Sequence, residues 1–327
     1  MPVRTLLDAI RETLADEMRR DETMIVLGED VGVKGGVFLA TDGLFAEFGG
    51  ARVIDTPLTE SLIVGASIGA AVNGLRPVPE IQFADFIFPA FNQIVSEAAR
   101  LRYRSNGTFE CPITIRAPFG GGVHGALYHS QSVEAFFAHV PGLKVVVPST
   151  PYDARGLLRS SIRDPDPVLF FEHKKLYRSV RGEVPDTDYV VPLGQAQVTR
   201  PGDHVTVIAY GLMAHYSLEA AELVEADGIS VEVIDLRTLR PLDKETVLGS
   251  VRKTGKCVIV YEDNSFGGYG AEVAAMIAEE AFEYLDGPVV RVGGPDVPGV
   301  PYNHKLEDWF MISPDQIADA IRTLAAF

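Results

Sequence analysis

The chain has 327 residues, of which 46% are hydrophobic and 31 are glycine, and its net charge is −16. Such a length predicts two domains, and the composition excludes collagen-like and low-complexity classes. The acidic balance argues against nucleic acid, whose phosphates would repel it. The longest apolar run, Leu62 to Val72, is too short for a bilayer and is broken by glycines, so no membrane partner is expected.

Cys111 and Cys257 are isolated, with neither CxxC nor disulfide-framework spacing, which points to a reducing cytoplasm. Met1-Pro2-Val3 runs directly into an acidic amphipathic helix, unlike a presequence. The charge is unevenly spread: residues 186–327 hold 10 basic and 23 acidic side chains, a net of −13. That half either solubilises the surface or steers a basic protein partner.

In chain order, a helix is expected from Arg4 to Arg20, then strand Met24–Leu27, a loop with Gly35-Gly36, and a helix around Asp42–Phe48. Strand Arg52–Ile54 leads to Asp55-Thr56-Pro57-Leu58-Thr59-Glu60 and an apolar helix to about Asn73. Thr59 is placed to cap that helix. Glu60 in its first turn reads either as a surface glutamate favoured by the helix dipole or as a buried acid whose pKa burial would raise. Strand Pro77–Ile81 and a long helix from Asp85 to Tyr103 follow, the latter ending in arginines. Strand Ile113–Ala117 then runs into the glycine-rich stretch Phe119–Gly125. Strand Leu143–Val147, helix Tyr152–Arg163 and strand Val168–Phe171 complete the first half.

The Pro-rich, charged stretch after Glu183 reads as a linker. Beyond it come strands Val205–Tyr210, Ser230–Asp235, Cys257–Tyr261 and Val289–Val292. Helices His215–Ala226, Lys244–Lys253, Tyr269–Tyr284 and Pro314–Ala325 alternate with them. The prediction is an α/β protein of two domains, each a mostly parallel sheet with helices on both faces: residues 1–185, a linker at 186–202, and residues 203–327.

Several motifs compete as chemistry. Gly65-Ala66-Ser67-Ile68-Gly69 matches a nucleophile elbow, yet Ser67 sits inside a helical run where small residues serve packing. Phe266-Gly267-Gly268-Tyr269-Gly270 could hold a phosphate, but as a helix-start turn it lacks the full dinucleotide spacing. His124 and His129 lack companions at zinc-ligand spacing. His129, flanked by Tyr128, Ser130 and Gln131, suits proton transfer near neutrality, although loop histidines are also commonly structural. The aromatics of residues 81–93 are either core or a floor for a flat heterocycle.

Taken together, the motifs resemble the beta subunits of thiamine-diphosphate-dependent 2-oxoacid dehydrogenase components, over essentially the whole chain. They are Leu27-Gly28-Glu29-Asp30-Val31, Asp55–Glu60, Glu80-Ile81-Gln82-Phe83-Ala84-Asp85, His124–Ser132, Pro148–Ala154 and Val233–Thr238. Phe83–Phe88 and His124–His129 look more like branched-chain than pyruvate members. The resemblance implies a pyrimidine-binding domain followed by a transketolase C-terminal-type domain.

It also implies roles. Glu60 would hydrogen-bond N1′ of the aminopyrimidine and favour the tautomer that removes the thiazolium C2 proton. Leu58, Gln82 and Phe86 would surround that ring, with Phe86 where branched-chain relatives often carry Tyr. His129 would assist acyl transfer to a lipoyl group. Ile113, Ser161, Ile162, Asp164 and Asp166 match a potassium site, with Asp166 replacing the usual asparagine.

The family's diphosphate–magnesium signature, Gly-Asp-Gly and a later Asn, does not occur: Gly202-Asp203 continues with His204. An alpha subunit is therefore expected to supply the magnesium ligands, in an α2β2 assembly. Further expected partners are a small 2-oxoacid and the lipoyl and basic subunit-binding domains of an acyltransferase core. The rival readings are a pyruvate-specific beta subunit and a non-catalytic scaffold binding a basic partner.

Overall fold

The chain begins with a three-residue strand, β1 (Val3–Thr5), whose last residue caps α1 (Leu6–Arg20) through a reciprocal box with Asp8. Arg19 and Arg20 close that helix at its negative end. There follow β2 (Met24–Gly28), α2 (Leu44–Phe48), β3 (Val53–Asp55), α3 (Glu60–Val72) and β4 (Arg76–Glu80). Next come α4 (Leu101–Arg104), β5 (Thr114–Phe119), α5 (Glu134–Ala138), β6 (Lys144–Val146) and α6 (Pro151–Arg163). β7 (Val168–His173), α7 (Leu176–Ser179) and β8 (Arg181–Glu183) complete this half.

The computed structural model describes residues 1–327 and divides them into two units. The first comprises Met1–Phe119 and Phe136–Leu193, the second Gly120–Ala135 and Gly194–Phe327. Within the first, the main strands lie in the order β6-β7-β5-β4-β2-β3, all parallel. β1 and β8 form a separate antiparallel pair. Every residue of β2, β5 and β7 is buried, as expected for strands covered on both faces.

The expected long helix from Asp85 to Tyr103 is broken. Residues 84–86 and 88–90 form 3-10 turns, Gln93–Ala98 wind as a π-helix, and only α4 is regular at its end. Pro89 cannot donate to a helical ladder and disfavours helix at the residue before it. α3 is apolar on nearly every side: Ile63, Val64, Ser67 and Ala71 face inward, while Leu62, Ala66 and Gly69 are exposed.

The second unit is built from β9 (Gln197–Arg200), β10 (Val205–Ala209), α8 (Leu212–Glu225), β11 (Val231–Asp235), β12 (Thr238–Arg240) and α9 (Lys244–Thr254). β13 (Cys257–Asn264), α10 (Gly270–Glu280), β14 (Val290–Gly294), α11 (His304–Phe310) and α12 (Pro314–Ala325) follow. Its sheet runs β14-β13-β10-β11-β9, parallel except for β9. Thus part of the stretch expected as linker at 186–202 is an edge strand, and Gly120–Ala135 groups with the second unit although the sequence places it within 1–185. No helix is long and apolar enough to cross a membrane.

Candidate active site

Register brings the acids of the first unit to one edge. Gly28 pairs with Asp55 on one side and Glu80 on the other, so β2, β3 and β4 end level. Open parallel sheets bind ligands at this carboxyl edge. Gly28 is required there: a Cβ would stand 2.7 Å from the Glu80 carbonyl oxygen.

Glu60 is the first residue of α3 and only 7% exposed, so the surface reading does not hold. Thr59 occupies the cap position but does not cap. Its hydroxyl donates to the Leu58 carbonyl at 2.7 Å, because its backbone has left the usual cap geometry. Glu29, directly after β2, has a pKa raised above the carboxylate norm, chiefly by burial and then by the charges of Glu60 and Asp30. Two carboxyl groups therefore share this edge. In the sequence Glu29 stands within the Leu27–Val31 motif with no role attached, and its place directly after a buried strand is the signal that marks it.

Leu58 is 76% exposed, whereas Gln82 and Phe86 are half-buried. Phe86 meets Phe83 edge-on at 5.6 Å, and Phe83 meets Phe38 at 5.4 Å. The Lys174 ammonium lies 5.8 Å from the Phe83 ring centre. Phe88 and Phe91 instead pack on Phe136 and Phe137, so the aromatic run serves both site edge and core.

Level with Glu80 on the neighbouring strand, Arg116 donates to Glu80 at 2.6 Å and to both oxygens of Glu172 at 2.7 Å. This network ties β4, β5 and β7 together. No sequence signal marked it, since its partners lie 36 and 56 residues from Arg116.

His129 belongs to the second unit, half-buried, with its backbone N–H donating to the Ala126 carbonyl at 3.2 Å. His124 sits 2.5 Å from the carboxylate of Glu307, a residue the sequence did not single out. No group of three or more His, Cys, Asp or Glu is arranged to hold a metal ion.

The five residues matched to a potassium site meet around the end of α6 and the start of β7. Arg76 donates to the carbonyls of Ile162 and Asp164. The Ile113 carbonyl accepts from Val168, and that of Ser161 from Asp164. Lys144 contacts Asp164 at 2.6 Å and Asp166 at 3.8 Å, while Arg102 binds Asp166 at 2.5 Å. The oxygens of Ile162, Asp164 and Asp166 thus have cationic partners within the chain, while those of Ile113 and Ser161 accept from backbone amides.

Two rival motifs are explained by packing. Ser67 is fully buried and donates to the Ile63 carbonyl at 2.8 Å, not the exposed nucleophile an elbow needs. A Cβ on Gly268 or Gly270 would strike Asn264 or the Tyr261 ring, so those glycines serve close packing at the start of α10.

Comparison with known proteins agrees with this architecture. The transketolase pyrimidine-binding domain profile matches residues 4–180, and the transketolase C-terminal domain profile residues 194–317. A split-gene transketolase, an inactive beta4 tetramer, superposes with a TM-score of 0.79 at 26% identity, covering 98% of each chain. A transketolase mutant from Pichia stipitis shares the fold at 14% identity and TM-score 0.71, this chain spanning 46% of it. The fold and its carboxyl-edge acids thus define a two-domain protein of the thiamine-enzyme class.

The 2-oxoisovalerate dehydrogenase subunit beta of Bacillus subtilis is 58% identical over all 327 residues and the whole of its own length. The pyruvate dehydrogenase E1 component subunit beta of the same organism is 49% identical over 98% of both chains. The chain belongs to the beta-subunit family of 2-oxoacid dehydrogenase E1 components, and it is an enzyme subunit rather than a bare scaffold.

Proposed function

We propose that this chain, with an alpha subunit in an α2β2 assembly, catalyses thiamine-diphosphate-dependent oxidative decarboxylation of branched-chain 2-oxoacids and transfers the acyl group to lipoyl groups. The observation that carries the reading is Glu60, buried at the first turn of α3 and near enough to Glu29 at the end of β2 for its charge to be felt there. When bound, thiamine diphosphate supplies the electron sink for loss of CO2.

The residues present fit the pyrimidine half of that cofactor. Glu60 would hold a proton at the ring nitrogen. Phe86 would offer its ring to a heterocycle, Gln82 would hydrogen-bond polar ring atoms, and Leu58 would close the apolar side. His129 would move a proton during acyl transfer. Absence of the Gly-Asp-Gly signature supports an alpha subunit that grips the diphosphate and its magnesium.

Potassium at Ile113, Ser161, Ile162, Asp164 and Asp166 remains part of the proposal as a structural ion only. It would share the Ile162 and Asp164 carbonyls with Arg76. The acidic second half supports docking of the basic subunit-binding domain of an acyltransferase core, whose lipoyl domain would accept the acyl group. A cytoplasmic location fits two free, buried cysteines.

The test is a substrate panel with the cognate alpha subunit. CO2 should leave 3-methyl-2-oxobutanoate faster than pyruvate. The reverse order would make the chain a pyruvate-type subunit, a difference of only a methylene or two in pocket size.

A further inference from the structure

The loop from Gly120 to Gln131 is closed at its neck by Gly120 N–H donating to the Gln131 carbonyl at 3.1 Å. Inside it, His124 and Ala126 both have φ of 57°, a left-handed conformation unusual for residues with a Cβ. Such strain persists only where the surroundings over-determine it.

Two carboxylates far away in sequence supply that constraint. Glu307 on α11 is 1% exposed, and its Oε1 accepts from the backbone N–H of Gly122 at 2.9 Å and of His124 at 3.2 Å. Its Oε2 lies 2.5 Å from His124 Nδ1. Glu262 accepts from Gly121 N–H at 2.6 Å and from the Ser132 hydroxyl at 3.3 Å, holding both ends of the loop. Charge-assisted bonds of this kind are about twice as strong as neutral ones.

The constraint reaches His129 through Gly125. A Cβ there would stand 2.6 Å from the His129 carbonyl oxygen and 2.9 Å from its Cβ, so the turn at 124–126 lies directly against His129. Gly299 is likewise closed against Leu127, where a Cβ would sit 2.0 Å from Cδ1.

We propose that Glu307 is a positioning residue: by gripping the Gly122 and His124 amides and the His124 imidazole, it fixes the turn that holds His129 in place. The inference rests on the reading of His129 as the group assisting acyl transfer. Glu307 touches no reacting atom.

The experiment compares wild type, Glu307→Ala, Glu307→Gln and His129→Ala, each assembled with the alpha subunit. Hydrogen exchange is followed across residues 120–132. Lipoyl acylation is compared with CO2 release to an artificial electron acceptor. Glu307→Ala should speed exchange in the loop and lower the acylation kcat about tenfold or more, leaving the 2-oxoacid KM and CO2 release within about twofold. Glu307→Gln, which keeps an acceptor for both amides, should restore most of the loss.

Unchanged exchange in Glu307→Ala overturns the proposal, and so do acylation and CO2 release falling together. If His129→Ala acylates at the wild-type rate, the role of His129 fails and the proposal with it. That outcome is separate from the exchange result.

Discussion

Arg116 and Glu172, both fully buried on adjacent parallel strands, face each other as a two-pronged pair, Nε to Oε1 and Nη2 to Oε2, each at 2.7 Å. Glu80 takes the third guanidinium nitrogen. Removing one member of such a network leaves buried charge uncompensated. Arg116→Met should therefore cost about 3–5 kcal/mol in chemical denaturation. Arg116→Lys should rescue little of it, because an ammonium cannot present the planar fork.

Glu60→Gln should cut CO2 release in the assembled enzyme by about 100-fold or more, the scale of a lost acid–base group. Its thermal unfolding should stay close to wild type. Unaltered turnover would return Glu60 to a structural role.

Stability should fall as pH rises from about 5 to 8. Burial, with Asp263 and Glu262 nearby, pushes Glu134 up to about 8, and burial with Glu262 pushes Asp263 up to about 6. The folded chain thus keeps protons that the unfolded chain releases above its ordinary carboxyl pKa. This stabilisation is complete below that value and is lost as pH climbs through the raised ones. Glu134→Gln, retaining an acceptor for the Tyr210 hydroxyl, should flatten the decline. Melting curves at pH 6 and 8 are the measurement.

Neither cysteine should react in the native protein. Cys111 and Cys257 are 1% and 0% exposed, and burial pushes both thiols up to about 12. Iodoacetamide at pH 8 should label neither until denaturant is added, after which it should label both.

The sequence foretold what local chemistry governs. A helix is expected over Pro314–Ala325, and α12 spans those residues, opened by a capping box between Ser313 and Gln316. The apolar run of β2 was equally plain. What escaped was decided at long range. β9 is half exposed and polar, so it becomes a strand only by pairing with β11. The stretch 84–98 carried helical spacing that Pro89 and its aromatic neighbours overrode. Glu60 could be singled out from its own surroundings and its motif, whereas Glu29 was marked only by following a buried strand, and its interaction with Glu60 emerges only in the folded chain. Glu307 meets the loop across 185 residues, a separation that no periodicity reveals.

The flank of α3 that bears Leu62, Ala66 and Gly69 lies open in the single chain. Apolar surface of this sort invites aggregation when left bare. Were a companion subunit to cover this flank, polypeptide made in excess of it would be left with the patch bare, and matched dosage of the two products would become a demand imposed by one helix.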